Sequence, residues 1–531
     1  MLFNIVEIVL VTLMSCAASV HYIHVLQMNR YQLPAYGGWL RRNRDRVIRE
    51  NVVIGFVAAI LSLYMPVLLS MFINVEVVRR AIANWLTLGL FMGVTGFIAW
   101  RDYNLPSKKP FVVTHRVRRF GAVLATLCLL AAALLRALTI PPYFLFAAMP
   151  YMVELAALII NPYENKLNAG FFKSAKQKIR KHPHLVTIGI TGSFGKTNVK
   201  FMLRDMLEKK YKVLATPASF NTAMGISRVV NDDLTDAHEV FIAEMGATHV
   251  GDIKELVELV RPKYGILTSI GKRHLDTFGS LENIASTKYE LIQGLPKSGF
   301  AVFGSGDDYI DRLYAMCKKD KCRVSLDPRS GAYMTAEGIT YSDRGTSFTL
   351  VCGGERTACR TPLLGSFNVK NILLAAAMAR RLEVPMEDIA KAIRELKPIE
   401  HRLQLTVDDL NVIDDTLNED PDGAFEAVRV LSQMPGRRIV VTPGMNGLSQ
   451  QEAEVNYALG TVMADCADTV ILVGGRNSQR GMRRGLLQSG FSRSNLHAVE
   501  DMDDASELLE EISEHGDTVL FESRVPEFED E

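Results

Sequence analysis

Hydrophobic and polar positions follow two different patterns along this chain. Before residue 165 the apolar residues gather into five long runs, at 2–23, 52–75, 85–100, 120–138 and 143–160. At a rise of 1.5 Å per residue, roughly 17 to 23 helical residues cross a hydrocarbon core about 30 Å thick, so the runs predict membrane-spanning helices. After residue 185 the apolar residues come in short bursts between stretches of three- and four-residue spacing. That alternation predicts strands and amphipathic helices in turn, an α/β fold with a mostly parallel sheet. The chain therefore divides into an α-helical membrane domain over 1–165, a basic linker over 166–184, and two α/β domains over 185–404 and 405–531.

The polar residues between the runs orient the first domain. Arg30, Arg41, Arg42, Arg44, Arg46 and Arg49 follow the first run, and Arg101, Lys108, Lys109, Arg116, Arg118 and Arg119 follow the third. The other two connections carry only Arg79, Arg80 and Arg136. Basic loops stay in the cytosol, which predicts an amino terminus outside and everything after residue 160 inside. An odd number of spans agrees with that. The first run lacks the basic flank and small-residue cleavage site of a secretory leader, so it reads as a retained span. Glu154 falls in the fifth run, near its cytosolic end. It is either a functional carboxylate or one that snorkels or packs between helices. No array of charges crosses the spans, which argues against an ion pump. The domain reads as a plain anchor or as a platform for a lipid-linked substrate or membrane partners.

In the second pattern, a predicted strand at 185–190 runs into Thr191-Gly192-Ser193-Phe194-Gly195-Lys196-Thr197, and a predicted helix at 198–211 follows. Strand, glycine turn and helix start supply what a phosphate needs, free backbone N–H groups and the positive end of a helix. Lys196 is placed to reach the β- and γ-phosphates and Thr197 to ligate Mg²⁺. Ile190 stands where the general phosphate-loop pattern has its first glycine. Downstream, a strand at 239–243 delivers Glu244, a strand at 264–270 feeds His274, and a helix at 280–291 carries Lys288. Open α/β sheets bind ligands at strand carboxyl ends, and Glu244 with His274 suit a second divalent cation. Singly, each has an ordinary reading: a solvated strand end, a capped loop residue, an exposed lysine.

Taken together they do not read singly. In order and spacing, TGSFGKT, SFNTAMGIS, FIAEMGATHVGDI, RHLDTFGSLENIASTKYEL, LLGSFNVKNILLAAAMA, EHRLQL and DDTLNEDP resemble the Mur ligase family. These are the ATP-dependent amide-forming enzymes of peptidoglycan precursor synthesis. Within the family the likeness is greatest to the type that adds D-alanyl-D-alanine to a UDP-muramoyl-tripeptide. It covers residue 185 to the carboxyl terminus and none of the first 170 residues.

The resemblance implies a P-loop-type ATPase central domain followed by a Rossmann-like lobe. It implies that Thr191, Gly192, Ser193, Gly195, Lys196 and Thr197 hold the triphosphate of ATP, with Thr197 on one Mg²⁺. Glu244 and His274 would hold a second Mg²⁺ that bridges the γ-phosphate and the acceptor carboxylate. Lys288 matches a lysine that the family carbamylates. Asn371, with Asn368 beside it, matches an adenine contact, and Arg402 and Asp415 match positions that close the last domain on the ribose. The implied chemistry transfers the γ-phosphoryl to a carboxylate, because a free carboxylate is a poor electrophile. An amine then displaces phosphate from the acyl phosphate.

Four departures accompany the likeness. The family's first domain, which grips the UDP-muramoyl group, is replaced by the apolar helices. DDTLNEDP stands for the type's DDSYNANP, with Leu417 in place of an aromatic residue and Glu419-Asp420 in place of Ala-Asn. Residues 302–307 carry Gly304 in a run where the family has an asparagine, and Asn446 stands where a Glu is common. The expected protein is a multi-pass enzyme of the bacterial cytoplasmic membrane with its catalytic domains in the cytosol. It joins an amino acid or dipeptide amine to a carboxylate-bearing wall precursor, soluble or lipid-linked, beside membrane lipid and other wall-synthesis proteins. A poly-amino-acid capsule ligase of the same fold and a non-catalytic nucleotide-binding scaffold are the alternatives.

Composition adds two exclusions. Sixty basic and 59 acidic residues give a net charge of +1, so nothing points to nucleic acid. The seven cysteines form no CxxC pair. Cys317, Cys322, Cys352 and Cys359 are spaced poorly for zinc and read as free thiols.

Overall fold

The computed structural model describes residues 2–523 apart from 30, 105–110, 219, 272–274, 399, 417–420, 446–451 and 475, and side chains other than those of 44–50, 276, 422 and 476–478. It divides into two units, Met1–Gly170 and Phe171–Glu531.

In the first unit, turn chemistry punctuates a series of helices: Leu2–Ala18, Val20–Met28, Leu33–Arg42, Arg44–Leu68, Glu76–Asn104, His115–Ala137, Phe144–Ala147 and the start of Met149–Arg180. Pro34 sits in the first turn of its helix, where its missing N–H is no loss. Thr114 caps His115–Ala137, its Oγ1 accepting from Val117 N at 3.2 Å. Leu2–Ala18 packs on Glu76–Asn104 and His115–Ala137. The core they share holds Val11, Leu88, Phe91, Phe120, Leu124 and Phe146. Gly55 lets its helix approach the Phe144 turn, since a Cβ there would lie 3.1 Å from Tyr143 O.

Among the described residues, Asn51–Met71, Glu76–Asn104 and His115–Ala137 are long and apolar enough to cross a membrane. The pair Leu2–Ala18 and Val20–Met28, bent by 41°, makes a fourth if it counts as one span. The hydropathy pattern predicts five, and the fifth run is not among these helices. The run 143–160 is divided between Phe144–Ala147 and Met149–Arg180, and the second helix meets Asn161, Pro162, Glu164 and Lys166 soon after its apolar stretch. With the basic connections on the cytosolic face, three or four spans leave the residues after 137 on the other face, so the expected cytosolic placement of the later domains requires a further crossing between 138 and 160. Met149–Arg180 also makes most of the expected linker helical.

Only 17%, 33% and 22% of the apolar windows of the three long helices are buried, so residues such as Leu63, Val67, Leu90, Phe97, Leu130 and Leu134 face outward. Charges inside the unit are paired. Glu7, buried, lies 3.4 Å from Arg136, which also donates to Asn4 Oδ1 at 2.6 Å. Glu164 accepts two hydrogen bonds from Arg119 at 2.6 and 2.9 Å. Glu154 is half-buried beside Gly37.

The second unit contains two sheets. In the first, β1 (Val186–Thr191), β2 (Val213–Ala215), β3 (Val240–Glu244), β4 (Tyr264–Leu267), β5 (Phe300–Phe303), β6 (Asp320–Ser325), β7 (Met334–Ser342), β8 (Gly345–Cys352) and β9 (Glu355–Thr361) lie in the order β2-β3-β1-β4-β5-β6-β7-β8-β9. Pairing is parallel from β2 to β7 and antiparallel through β7, β8 and β9. The sheet is thus mixed, and the antiparallel meander was not predicted. Its second hairpin turns on Gly353 and Gly354, both in the left-handed region, φ 58° and 88°.

Chain direction across the sheet reverses at β1, which lies between β3 and β4, so the loop after β1 opens at a topological switch point. Apolar residues at helical spacing (Val199, Met202, Leu203, Met206, Leu207) seat the helix Lys196–Leu207 on Ile188 and Ile190, with Val369, Ile372 and Leu373 of Ser366–Arg381 on the same core. Cys322, Cys352 and Cys359 belong to this core and Cys317 to a separate apolar cluster. Burial pushes the Cys359 thiol up to about 11 and Cys322 up to about 12, the behaviour of small core hydrophobes.

The second sheet holds β10 (Gln404–Val407), β11 (Asn411–Asp415), β12 (Arg438–Thr442), β13 (Thr469–Val473), β14 (Leu496–Val499) and β15 (Thr518–Glu522) in the order β10-β11-β15-β12-β13-β14. Edge strand β10 is antiparallel and the other pairings are parallel, as a Rossmann-like lobe requires.

Candidate functional site

β1 ends at Thr191, whose Oγ1 donates to Met245 O at 2.9 Å. The chain then turns through Gly192 and Gly195 into the helix Lys196–Leu207. Neighbouring backbone clamps this turn. Ser193 N donates to Ser269 O at 2.8 Å, Gly271 N to Ser193 Oγ at 2.8 Å, and Thr268 Oγ1 to Phe194 O at 2.5 Å. Committing 268–271 to the loop explains why β4 stops at Leu267 although the pattern predicts a strand to 270.

Two glycines are obligatory here. A Cβ on Gly192 would fall 1.9 Å from Thr268 Oγ1, and one on Gly195, at φ 78°, would fall 2.4 Å from Asn371 Oδ1. A non-glycine residue in the left-handed region costs about 1–2 kcal/mol before any clash. Gly195→Ala is expected to weaken ADP binding at least tenfold by isothermal titration, with a lower melting temperature.

Charge gathers at the same loop. Lys196 Nζ donates to Gly192 O at 2.8 Å and to Ser193 O at 3.2 Å. Lys288 Nζ donates to the same Gly192 O at 3.0 Å. Lys288 is buried, held there by the helix Leu281–Gln293, whose cap Ser280 accepts from Asn283 N at 3.1 Å. Two ammonium groups meeting at one carbonyl oxygen make a positive locus suited to a polyanion.

Opposite them is Glu244, buried at the end of β3. Its Oε2 accepts from Thr197 Oγ1 and from Lys200 Nζ, each at 3.0 Å, and its Oε1 accepts from Asn221 Nδ2 at 3.0 Å. Its backbone N donates to Thr216 Oγ1 at 3.2 Å. Burial pushes the Lys200 ammonium below its usual range, while the Glu244 charge works the other way. The Thr197 hydroxyl and Glu244 carboxylate are hard oxygen donors in contact. Mg²⁺ takes one or two protein oxygens and completes its shell with phosphate and water, so this donor pair fits it. His274 lies outside the described residues, as do Leu417, Glu419, Asp420 and Asn446.

Asn371 abuts Gly195, and beside it Asn198 Nδ2 donates to Asn368 Oδ1 at 3.4 Å. Asn198, Phe201, Phe367, Asn368 and Arg402 line a cavity of about 420 Å³. Arg402 lies between His401 and Leu403, both at positive φ, 59° and 44°. Asp415 is buried, and its Oδ1 accepts from Leu403 N at 2.9 Å. Arg402 thus faces the cavity, while Asp415 is bonded to the backbone beside it.

Gly304 lies tight against the loop: a Cβ there would fall 2.3 Å from Thr268 O. Asp307 then anchors the turn, accepting from Ile270 N at 2.8 Å, and Lys370 donates to Ser305 O.

Lys200, Thr216, Asn221 and Thr268 went unrecognised as site residues in the sequence. Lys200 follows Lys196 by one helical turn and reads as solvated, and only its burial reveals its partner.

The family description "Mur ligase middle domain" matches residues 190–379, and "Mur ligase, glutamate ligase domain" matches 401–524. Together they span more than half of the chain. It belongs to the Mur ligase family. The UDP-N-acetylmuramoyl-tripeptide–D-alanyl-D-alanine ligase of Treponema pallidum is 28% identical over 350 residues, covering 64% of this chain and 72% of that one. MurF from Acinetobacter baumannii superposes with a TM-score of 0.58 at 24% identity, covering 67% of this chain and 77% of that one. MurF from Thermotoga maritima, solved in complex with ADP, gives 0.57 at 23% identity over 67% and 80%. These two structural likenesses establish the fold. As a Mur ligase, the protein is an ATP-dependent, ADP-forming ligase.

Proposed function

We propose that this Mur ligase joins an amine to the carboxylate of a peptidoglycan precursor while anchored in the bacterial cytoplasmic membrane. The observation that carries the reading is one glycine turn and helix start that holds Lys196 over Gly192 O and Ser193 O and sets Thr197 Oγ1 against the Glu244 carboxylate. The relatives named above are D-alanyl-D-alanine ligases of a UDP-muramoyl-tripeptide, which makes a peptidyl carboxylate and a D-amino dipeptide the first substrates to test.

The start of the helix Lys196–Leu207 holds the phosphates, and Lys196 faces the γ-phosphoryl as it moves to the acceptor carboxylate. Thr197 and Glu244 would hold Mg²⁺, and the family resemblance implies His274 as a further ligand. The cation supplies charge neutralisation among crowded phosphate oxygens. Lys288 stands where its carbamate would place a carboxylate against the loop. Asn371, Asn368 and Arg402 face the nucleoside, and Asp415 sets the backbone next to Arg402. Positioning and preorganised charge provide most of the rate in such a transfer.

The outward apolar surface of Asn51–Met71, Glu76–Asn104 and His115–Ala137 supports membrane anchoring. Arg41, Arg42, Arg101, Arg118 and Arg119 support a cytosolic face for the connections that bear them. The unit occupies the sequence position of the family's UDP-gripping domain, which favours an acceptor presented at the bilayer.

Full-length protein in nanodiscs, given MgATP and D-alanyl-D-alanine, is expected to release ADP only when a muramoyl-tripeptide acceptor is present, UDP-linked or lipid-linked. ADP release driven by glutamate alone would redirect the assignment to a capsule-type polymer. No release with any acceptor would leave a scaffold.

A further inference from the structure

One buried charge has no part in that mechanism. Lys200 is completely buried, one turn beyond Lys196 on the same helix. An ammonium held out of water must be paired or give up its charge. This one lies 3.0 Å from Glu244 Oε2 and donates also to Ala218 O. Ala218 has φ 42°, the left-handed region, in the turn that runs from Thr216 to Asn221. Both ends of that turn also touch Glu244, Thr216 through the backbone N and Asn221 through Oε1. Lys200 therefore ties a strained turn and a strand end to one helix.

The acceptor count on Glu244 gives the contact a direction. A carboxylate oxygen offers about two acceptor positions. Oε2 already takes Thr197 and Lys200, whereas Oε1 takes Asn221 and keeps one position.

We propose that Lys200 is a positioning residue for the cation site, a built-in counter-ion that fixes Glu244 with Oε1 turned to the ligand and balances its charge when no cation is bound. This rests on the reading of Glu244 as a cation ligand. Lys200 and the cation are then interchangeable in part as partners of one buried carboxylate. Removing the lysine makes the folded site depend on the metal.

Lys200→Met keeps the length of the stem and deletes the charge. Melting of the full-length protein is compared in EDTA and in excess Mg²⁺ with ADP, and Mn²⁺ binding to the ADP complex is followed by electron paramagnetic resonance. The melting deficit of Lys200→Met against wild type is expected to be large in EDTA and to fall by at least half with Mg²⁺ and ADP. The double variant Lys200→Met/Glu244→Gln is expected to melt above Lys200→Met in EDTA, because no orphan anion is left buried. A lysine that only fills space gives the same deficit in both conditions and a double variant no better than the single, and that result overturns the proposal. If Lys200→Met does not accumulate, a folded double variant supports the pairing and an unfolded one overturns it. A free-Mn²⁺ sextet in wild type with ADP as strong as in ADP without protein would sink the cation reading of Glu244 instead, while the EDTA comparison still decides whether Lys200 balances its charge.

Discussion

Lys196→Ala is expected to lower acceptor-dependent ADP release by roughly 10²–10³-fold, the usual loss when one preorganised donor to a developing oxyanion is removed. Lys196 sits at the first position of its helix and spans back to Gly192 O and Ser193 O, so its ammonium lies over the mouth of the loop. The substitution removes no core contact, because the apolar face of that helix is formed by Val199, Met202, Leu203, Met206 and Leu207. Melting temperature should therefore change little while turnover collapses. Lys196→Arg should fail to restore activity, since a planar guanidinium is not a substitute for a compact ammonium between two carbonyls. Turnover within a few-fold of wild type for Lys196→Ala would remove the loop from the chemistry.

Glu244→Gln should damage both catalysis and stability. The carboxylate accepts from Thr197, Lys200 and Asn221, and its amide replacement cannot balance the Lys200 charge. Breaking a buried ion pair from one side costs roughly 3–5 kcal/mol, because the remaining charge is left without compensation. Catalysis should fall by about 10²-fold or more, the scale of losing a metal-positioning or charge-stabilising group. Two measurements check this: thermal melting of the variant, and ADP release across a Mg²⁺ titration. A stable variant with unchanged Mg²⁺ dependence would remove Glu244 from the cation site.

The contrast between the two substitutions is informative. On the proposed reading Lys196, half-buried at the loop, serves the ligand alone, whereas buried Glu244 serves both the ligand and the fold. The first should separate activity from stability, and the second should not.

Much of this protein was legible along the chain because its signals are local. A strand, a glycine turn and a helix start lie within a short stretch, so a phosphate at Thr191 to Thr197 could be expected from local pattern and the family resemblance together. Apolar periodicity fixes which face of Lys196–Leu207 is buried, and β1 and β3 fall within a residue of the strands predicted at 185–190 and 239–243. Continuous apolar runs likewise announced the long helices of the first unit. The run at 143–160 is continuous in hydropathy but divided in the structure, because hydropathy averages over a break. The structure puts a turn and a new helix inside it, and Pro162 and Glu164 follow. The meander of β7, β8 and β9 was missed because glycine turns and alternating short strands resemble loop in a chain otherwise read for helices.

Sequence by itself determined the family and the division into an apolar helical part and an α/β part, and it singled out the glycine loop, Glu244 and Lys288 as candidates for the chemistry. Tertiary structure decided what those residues touch. Lys288 lies far along the chain from Gly192, yet its ammonium shares a carbonyl with Lys196. Glu244 is gripped by a helix and a turn from two other parts of the chain, and Lys200 changes from a solvated lysine to its buried counter-ion. The physical reason is the same in each case. Desolvation and charge pairing depend on distance in space, which sheet order and helix packing set, and no local spacing encodes them.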